Sequence, residues 1–244
     1  MYFSKERKSQ FRSGVTASTG DSGSRGDVAL KVTVVVSDEP PLDPELRSGP
    51  GFAALVEDGR HRVLFDTGPD PDLLLHNLKG LGYEPEDLTA VVISHNHWDH
   101  TGGLQAAESE VARIVTPERI GVKNELVREE WLGIGDMVLT DVLEGPPPER
   151  ALYANGLLIT GCAHPGIHEF VEWCVRRGLE VHTVLGGFHL MGATEIEVEK
   201  VADRLEELGV KIAGPCHCSG EVAKRMFRRR FEFLNVGPGL EVRV

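Results

Sequence analysis

Residues 30–36 (Leu30-Lys31-Val32-Thr33-Val34-Val35-Val36) are β-branched and apolar almost throughout, a pattern that predicts a buried strand. Two further strand patterns, 52–56 and 62–65, flank Glu57-Asp58-Gly59-Arg60, whose turn residues predict a hairpin. From 71 to 81 the period lengthens. Leu73, Leu74, Leu78 and Leu81 recur at helical spacing, with Asp70 or Asp72 as the cap and Gly82 as the stop. The run 89–94 returns to a strand, and shorter strands are expected at 112–115 and 137–140. Asn155-Gly156 between 151–153 and 157–160 is a strong hairpin signal, because both residues accept positive φ. Helices are expected at 167–177, 194–208 and 220–230, and strands at 180–185, 210–213 and 241–244. Residues 117–150, with Trp131 and Pro146-Pro147-Pro148, carry no clear period. A surface connection is the default reading there, and a cover over a site mouth is the alternative. Strands cluster first and then alternate with helices. Patterning alone gives only an α/β or α+β chain, and the order of its elements implies two sheets packed face to face with helices outside.

Composition narrows the setting. The first 29 residues are poor in apolar side chains, and five basic residues there outnumber three acidic ones. They read as a flexible tail or upstream extension, leaving 30–244 as one catalytic domain. The chain as a whole carries −12, which speaks against nonspecific nucleic-acid binding through a basic surface. Neither a membrane span nor a signal-peptide core is expected, and four cysteines do not make a disulfide framework. A reduced, cytoplasmic setting fits this composition.

The chemistry concentrates in His95-Asn96-His97-Trp98-Asp99-His100, directly after the 89–94 strand. Three imidazoles and a carboxylate in six residues would be costly to crowd together without a cation. Neutral imidazole and carboxylate suit zinc first, with iron or manganese as alternatives. The gaps of two, two and one do not match a helical four-residue ligand spacing, so a tight turn is expected to focus them.

This segment, with Val63-Leu64-Phe65-Asp66-Thr67-Gly68 before it and Thr101-Gly102-Gly103-Leu104 after it, resembles the metallo-β-lactamase superfamily of metal-dependent hydrolases. Thr160-Gly161-Cys162-Ala163-His164 matches its third motif. Gly186-Gly187-Phe188-His189-Leu190 and Pro215-Cys216-His217-Cys218-Ser219-Gly220 resemble the branch of dihydropterin-ribofuranosylaminobenzene phosphate synthase-like proteins.

The resemblance implies a four-layer αβ/βα sandwich of two similar halves. It implies one to two divalent ions, the first on His95, His97 and His164 and the second on Asp99, His100 and His217. Three protein ligands at each ion leave open positions, as catalytic sites do, and a metal-bound hydroxide shared between the ions would be the nucleophile. Asp99 and His189 are the candidate catalytic residues. Asp66 is expected to accept the free N–H of a ligating imidazole. Gly187, His189, Ser219 and Gly220 are the candidate substrate contacts, with Ser219 capping a helix whose N-terminus receives an anion.

Two departures stand out. Gly186-Gly187-Phe188-His189 holds no acid where many dinuclear relatives have a bridging aspartate. Residues 47–52 lack the His-Gly pair common in the branch. Cys216 and Cys218 are weighed as ligands and read as small buried thiols. His61, His76, His168 and His182 are read as structural or surface residues.

Three functions follow as expectations. The first is hydrolysis of a small, phosphorylated or ester-type anion. The second is transfer of the dihydropterin synthase type, and the third is metal-dependent regulation without turnover. The expected partner is a small anionic molecule, with no nucleic acid and no membrane.

Overall fold

A computed structural model describes residues 30–107, 113–118, 125–126 and 132–244. The tail expected at 1–29, Trp131 and part of the 117–150 connection lie outside the described residues.

The first half runs β1 (Lys31–Ser37), β2 (Phe52–Glu57), β3 (Arg62–Phe65), α1 (Pro71–Gly80), β4 (Ala90–Val92), α2 (Trp98–Thr101), α3 (Leu104–Ala107), β5 (Arg113–Thr116) and β6 (Glu125–Leu126). The second runs β7 (Leu132–Ile134), β8 (Met137–Leu139), β9 (Leu152–Ala154), β10 (Leu157–Thr160), α4 (Ile167–Val175), β11 (Thr183–Gly187), α5 (Glu195–Glu207), β12 (Ile212–Cys216), α6 (Gly220–Arg230) and β13 (Glu232–Phe233). Strand β14 (Glu241–Arg243) then returns to the first sheet.

The described strands form two seven-stranded sheets, ordered β14-β1-β2-β3-β4-β5-β6 and β13-β12-β11-β10-β9-β8-β7. In the first, the pairs among β14, β1, β2 and β3 are antiparallel, and those from β3 to β6 are parallel. In the second, β7 to β10 pair antiparallel and β10 to β13 parallel. The halves thus repeat one plan, which is the expected αβ/βα sandwich.

Burial explains why the apolar runs look continuous. Each sheet packs its sister on one face and helices on the other, so both faces of a central strand are dry. In β1, Val32 and Val34 join the core between the sheets, while Val35 and Val36 face α1. The register shift between Val34 and Val36 is a bulge that breaks the two-residue alternation. The second sheet buries its outer face under α4, α5 and α6, through Phe170, Val198, Ala202, Leu205 and Phe227.

Local signals set the element ends. The Asp70 carboxylate accepts the Leu73 N–H at 2.9 Å, capping α1, and Pro71 follows in the first turn. Thr194 and Glu197 form a capping box at α5. Asn155 and Gly156 take φ of 42° and 88°, as a two-residue hairpin turn requires. No helix of the described residues is long and apolar enough to cross a membrane.

Two expectations are corrected. Residues 98–101 form one turn of helix, not a plain turn, with His97 as its N-cap residue. Ser219 does not cap α6. Its hydroxyl donates to the Cys216 carbonyl at 2.6 Å and accepts the Phe188 N–H at 3.1 Å, so it ties β12 to the end of β11.

Candidate metal centre

The candidate residues arrive from the C-terminal ends of strands in both sheets. His95, His97, Asp99 and His100 follow β4. His164 follows β10, His189 follows β11 and His217 follows β12. The rings meet. His95 stands 4.6 Å from His97, 4.2 Å from His100 and 4.6 Å from His164, centroid to centroid. His217 lies 5.2 Å from His100, and His189 4.5 Å from His164.

The backbone is bent to achieve this. Among the described residues, five non-glycines adopt a left-handed φ, and four of them surround the site: Asp66, Ala163, His189 and His217. Each such residue costs about 1–2 kcal/mol, so their concentration at the strand ends marks a site the rest of the fold supports.

Asp66 is fully buried. Its Oδ1 accepts the Ser94 N–H at 2.7 Å, and its Oδ2 accepts the Ser94 hydroxyl at 2.7 Å and the His100 Nδ1–H at 2.8 Å. Ser94 Oγ in turn lies 2.9 Å from His95 Nδ1. One carboxylate thereby orders two imidazoles, directly and through a hydroxyl, and turns their Nε2 atoms toward His97 Nδ1 and Cys162 Sγ at the centre. Burial pushes the Asp66 carboxyl up, against the pull of His100 and Ser94.

Glu149 plays the same part in the other half and was not singled out from the sequence. Its Oε1 accepts the N–H groups of Cys162 and Ala163, and its Oε2 accepts the backbone N–H and ring Nδ1–H of His164. Burial disfavours its charge, but these donors outweigh it and hold the carboxyl down to about 2. The residue sits in the connection that showed no period, so only the fold brings it to His164. Asp38 was also missed. Its Oδ2 lies 3.4 Å from His217 Nδ1.

The imidazoles divide electrostatically. Burial and the neighbouring His100 push His95 down to about 2, and burial lowers His97 as well, so both offer lone pairs. Burial also disfavours charge on His217, but Asp38 and Asp99 outweigh it and raise it to about 10. Asp99 is drawn down to about 2 against burial, by its hydrogen bond to His217 and by the nearby His100.

Two compact donor groups result: His95, Cys162 and His164, and His100, Cys162 and His217, with ligand atoms within 4.8 Å of one another in each. Donors on one ion at roughly 2.0–2.3 Å lie up to about twice that apart, so these groups need only small shifts to close on one ion, and imidazole and thiol donors suit a divalent transition metal. Cys162 enters both groups. The sequence reading had passed over it, although it sits two residues before His164. His97 stands beside the first group, its Nδ1 3.1 Å from His95 Nε2. Asp99 stands beside the second, its Oδ2 3.2 Å from His217 Nε2 and 3.8 Å from His100 Nε2.

The candidate substrate contacts separate. His189 faces the centre, and the neighbouring Cys218 side chain raises its pKa against burial. A Cβ at Gly187 would stand 2.3 Å from the Gly161 carbonyl and 2.8 Å from Cys218 Sγ. That strand end is closed to a longer side chain. A Cβ at Gly220 would stand 2.9 Å from the Met191 Cα, and the Ser219 hydroxyl is committed to Cys216 and Phe188. Residues 47–52 do reach the site, since Gly51, at φ 93°, passes against the Asp99 carbonyl where a Cβ would stand 1.8 Å away. Of the other cysteines, Cys174 and Cys216 sit in hydrophobic clusters. His61 is held by Asp58, and His76 contacts the Glu45 carbonyl.

Comparison with known proteins agrees with this picture. The model of the metallo-beta-lactamase superfamily matches residues 46–112. The chain is 26% identical to the 7,8-dihydropterin-6-methyl-4-(beta-D-ribofuranosyl)-aminobenzene-5'-phosphate synthase of Methanocaldococcus jannaschii, over 83% of this chain and 92% of that one. It is 28% identical to an uncharacterised protein of the same organism, over 70% of this chain and 84% of the other. Among solved structures, Tm1679, described as a metal-dependent hydrolase of the beta-lactamase superfamily, superposes with a TM-score of 0.73 at 27% identity, covering 88% of this chain and 99% of that one. With its two-sheet sandwich and convergent donor groups, the chain has the metallo-beta-lactamase-like fold, and residues 46–112 match the model of that superfamily.

Proposed function

We propose that this protein is a metal-dependent hydrolase acting on a small phosphorylated or ester-type anion. It would hold one to two divalent ions, zinc first. His95, His97 and His164 would take one, and Asp99, His100 and His217 the other. The observation that supports this most is the pair of buried carboxylates from opposite halves of the fold, Asp66 on His100 Nδ1 and Glu149 on His164 Nδ1. Both imidazoles are fixed through Nδ1, which leaves Nε2 as the ring atom available for ligation. Bound there, such ions supply Lewis acidity and bring the ionisation of a coordinated water near neutral pH. Asp99, kept ionised between His217 and His100, orients the attacking water. His189 donates to the substrate anion from the opposite strand end.

A second reading, transfer of the dihydropterin synthase type, is favoured by the near full-length likeness to the M. jannaschii synthase. One experiment addresses both. The protein is purified with its native metals, its metal content is measured, and phosphodiesters, thioesters, lactones and a pterin diphosphate with an arylamine acceptor are screened. Hydrolysis of an ester or phosphoester supports the first reading. Product formed only when the arylamine is present supports the second. A protein free of metal that also binds no added zinc, manganese or iron would overturn both.

A further inference from the structure

Cys162 is common to both donor groups. Its Sγ lies within 4.8 Å of the ligand atoms of His95 and His164 on one side, and of His100 and His217 on the other. The distance to His100 Nε2 is 3.4 Å. The residue is 4% exposed, yet it belongs to none of the hydrophobic clusters that take in Cys174 and Cys216. A thiol kept only for packing would sit among aliphatic groups, as those two do. This one sits among imidazoles.

Its position is held firmly. Glu149 Oε1 accepts the Cys162 N–H at 2.8 Å, and Ala163, at φ 58°, bends the chain between Cys162 and His164. The same loop thereby presents a sulfur and an imidazole to one point. On the other side, a Cβ at Gly187 would stand 3.1 Å from Cys162 Cα, so no acid from that strand end competes for the space.

The geometry points to Cys162 as a metal ligand through its sulfur, shared between the His95–His164 and His100–His217 groups. This rests on the metal-binding reading above. Coordination replaces the S–H bond by a sulfur–metal bond. The proton passes to solvent, the thiolate keeps the electron pair and donates it to the ion, and no oxidation state changes.

Cobalt(II) titration of the metal-free protein tests the two readings separately. Visible ligand-field bands report cobalt held by any donor, and a near-ultraviolet sulfur-to-cobalt charge-transfer band reports sulfur. The expected result is both signals in the wild type and in Cys218→Ala. In Cys162→Ser the charge-transfer band should be lost while the visible bands persist. Cobalt uptake by the wild type without the charge-transfer band, or survival of that band in Cys162→Ser, overturns the role of Cys162 and leaves the metal reading standing. No uptake at all overturns both. If Cys162→Ser fails to fold, X-ray absorption of the zinc-loaded wild type and Cys218→Ala decides. A sulfur at about 2.3 Å in both supports the proposal, and a shell of nitrogen and oxygen alone in either overturns it.

Discussion

Glu149 Oε2 accepts both the ring Nδ1–H and the backbone N–H of His164, at 2.7 and 2.9 Å, while its Oε1 takes the two preceding N–H groups. One buried carboxylate therefore fixes the loop and the ring together. Glu149→Gln keeps an oxygen but loses the charge and one acceptor. We expect zinc affinity to fall about 10–100-fold and unfolding free energy by about 1–3 kcal/mol. Calorimetric zinc titration and urea denaturation check the two effects, and an unchanged dissociation constant would remove Glu149 from the metal site.

Asp66→Asn acts on the other imidazole. It removes no ligand, but it disturbs the acceptor that orders His100 directly and His95 through Ser94. Metal affinity should drop about 10–100-fold. Competition against a chromophoric chelator measures this, and equal affinity in the two proteins would leave Asp66 as a turn residue.

Asp99→Ala should abolish turnover and leave the fold largely intact, because Asp99 is paired with His217 and His100 and not with the core. Activity within a few-fold of wild type would contradict the assignment. Loss of a cooperative melting transition would recast Asp99 as structural.

His189→Ala should lower activity at least about tenfold, or roughly 1.4 kcal/mol in the barrier, with metal content near wild type. Elemental analysis and kinetics on one preparation make the test. Loss of a metal equivalent would turn His189 into a ligand, and no change in either would turn it into a packing residue.

Asp58 gives a prediction for acid stability. At the end of β2 it accepts the N–H groups of Arg60 and His61, the His61 ring and, from the second sheet, the Asp136 N–H. Burial works against its charge, but these donors bring it from its ordinary 3.8 to about 2. A carboxylate whose folded pKa is depressed stabilises the fold above its unfolded pKa, and the benefit fades as pH falls through the folded one. Wild type should thus exceed Asp58→Asn by about 1–3 kcal/mol at pH 7, and the gap should close between pH 4 and 2. Urea midpoints across that range decide it. A gap that does not change with pH would mean that the charge of Asp58 contributes nothing.

How legible these features were depended on how local they are. The Asn155-Gly156 turn, the Asp70 cap and the leucine period of α1 act within a few residues, and each was read from the chain. Helix α2 was missed because four residues are too few to show a period. Strand β11 begins three residues later than the strand expected at 180–185, where its parallel neighbours β10 and β12 pair with it. At the site, the clustered histidines and Asp66 were visible as residues. Glu149 was not, since its partners lie 13 to 15 positions downstream and only folding joins them. Ser219 carried a cap signal, but Phe188 and Cys216 claimed its hydroxyl.

Strand β14 pairs with β1, and Leu30 and Val244 exchange backbone hydrogen bonds at 3.0 Å in each direction. The ribosome makes β14 after every strand of the second sheet. During synthesis, then, the outer edge of β1 stays open while the whole second half emerges. An unpaired edge of Val-rich strand is a template for pairing with other chains. Until residues 241–243 emerge, that edge lacks the partner it has in the fold, so the first sheet is completed only after the second half has been made.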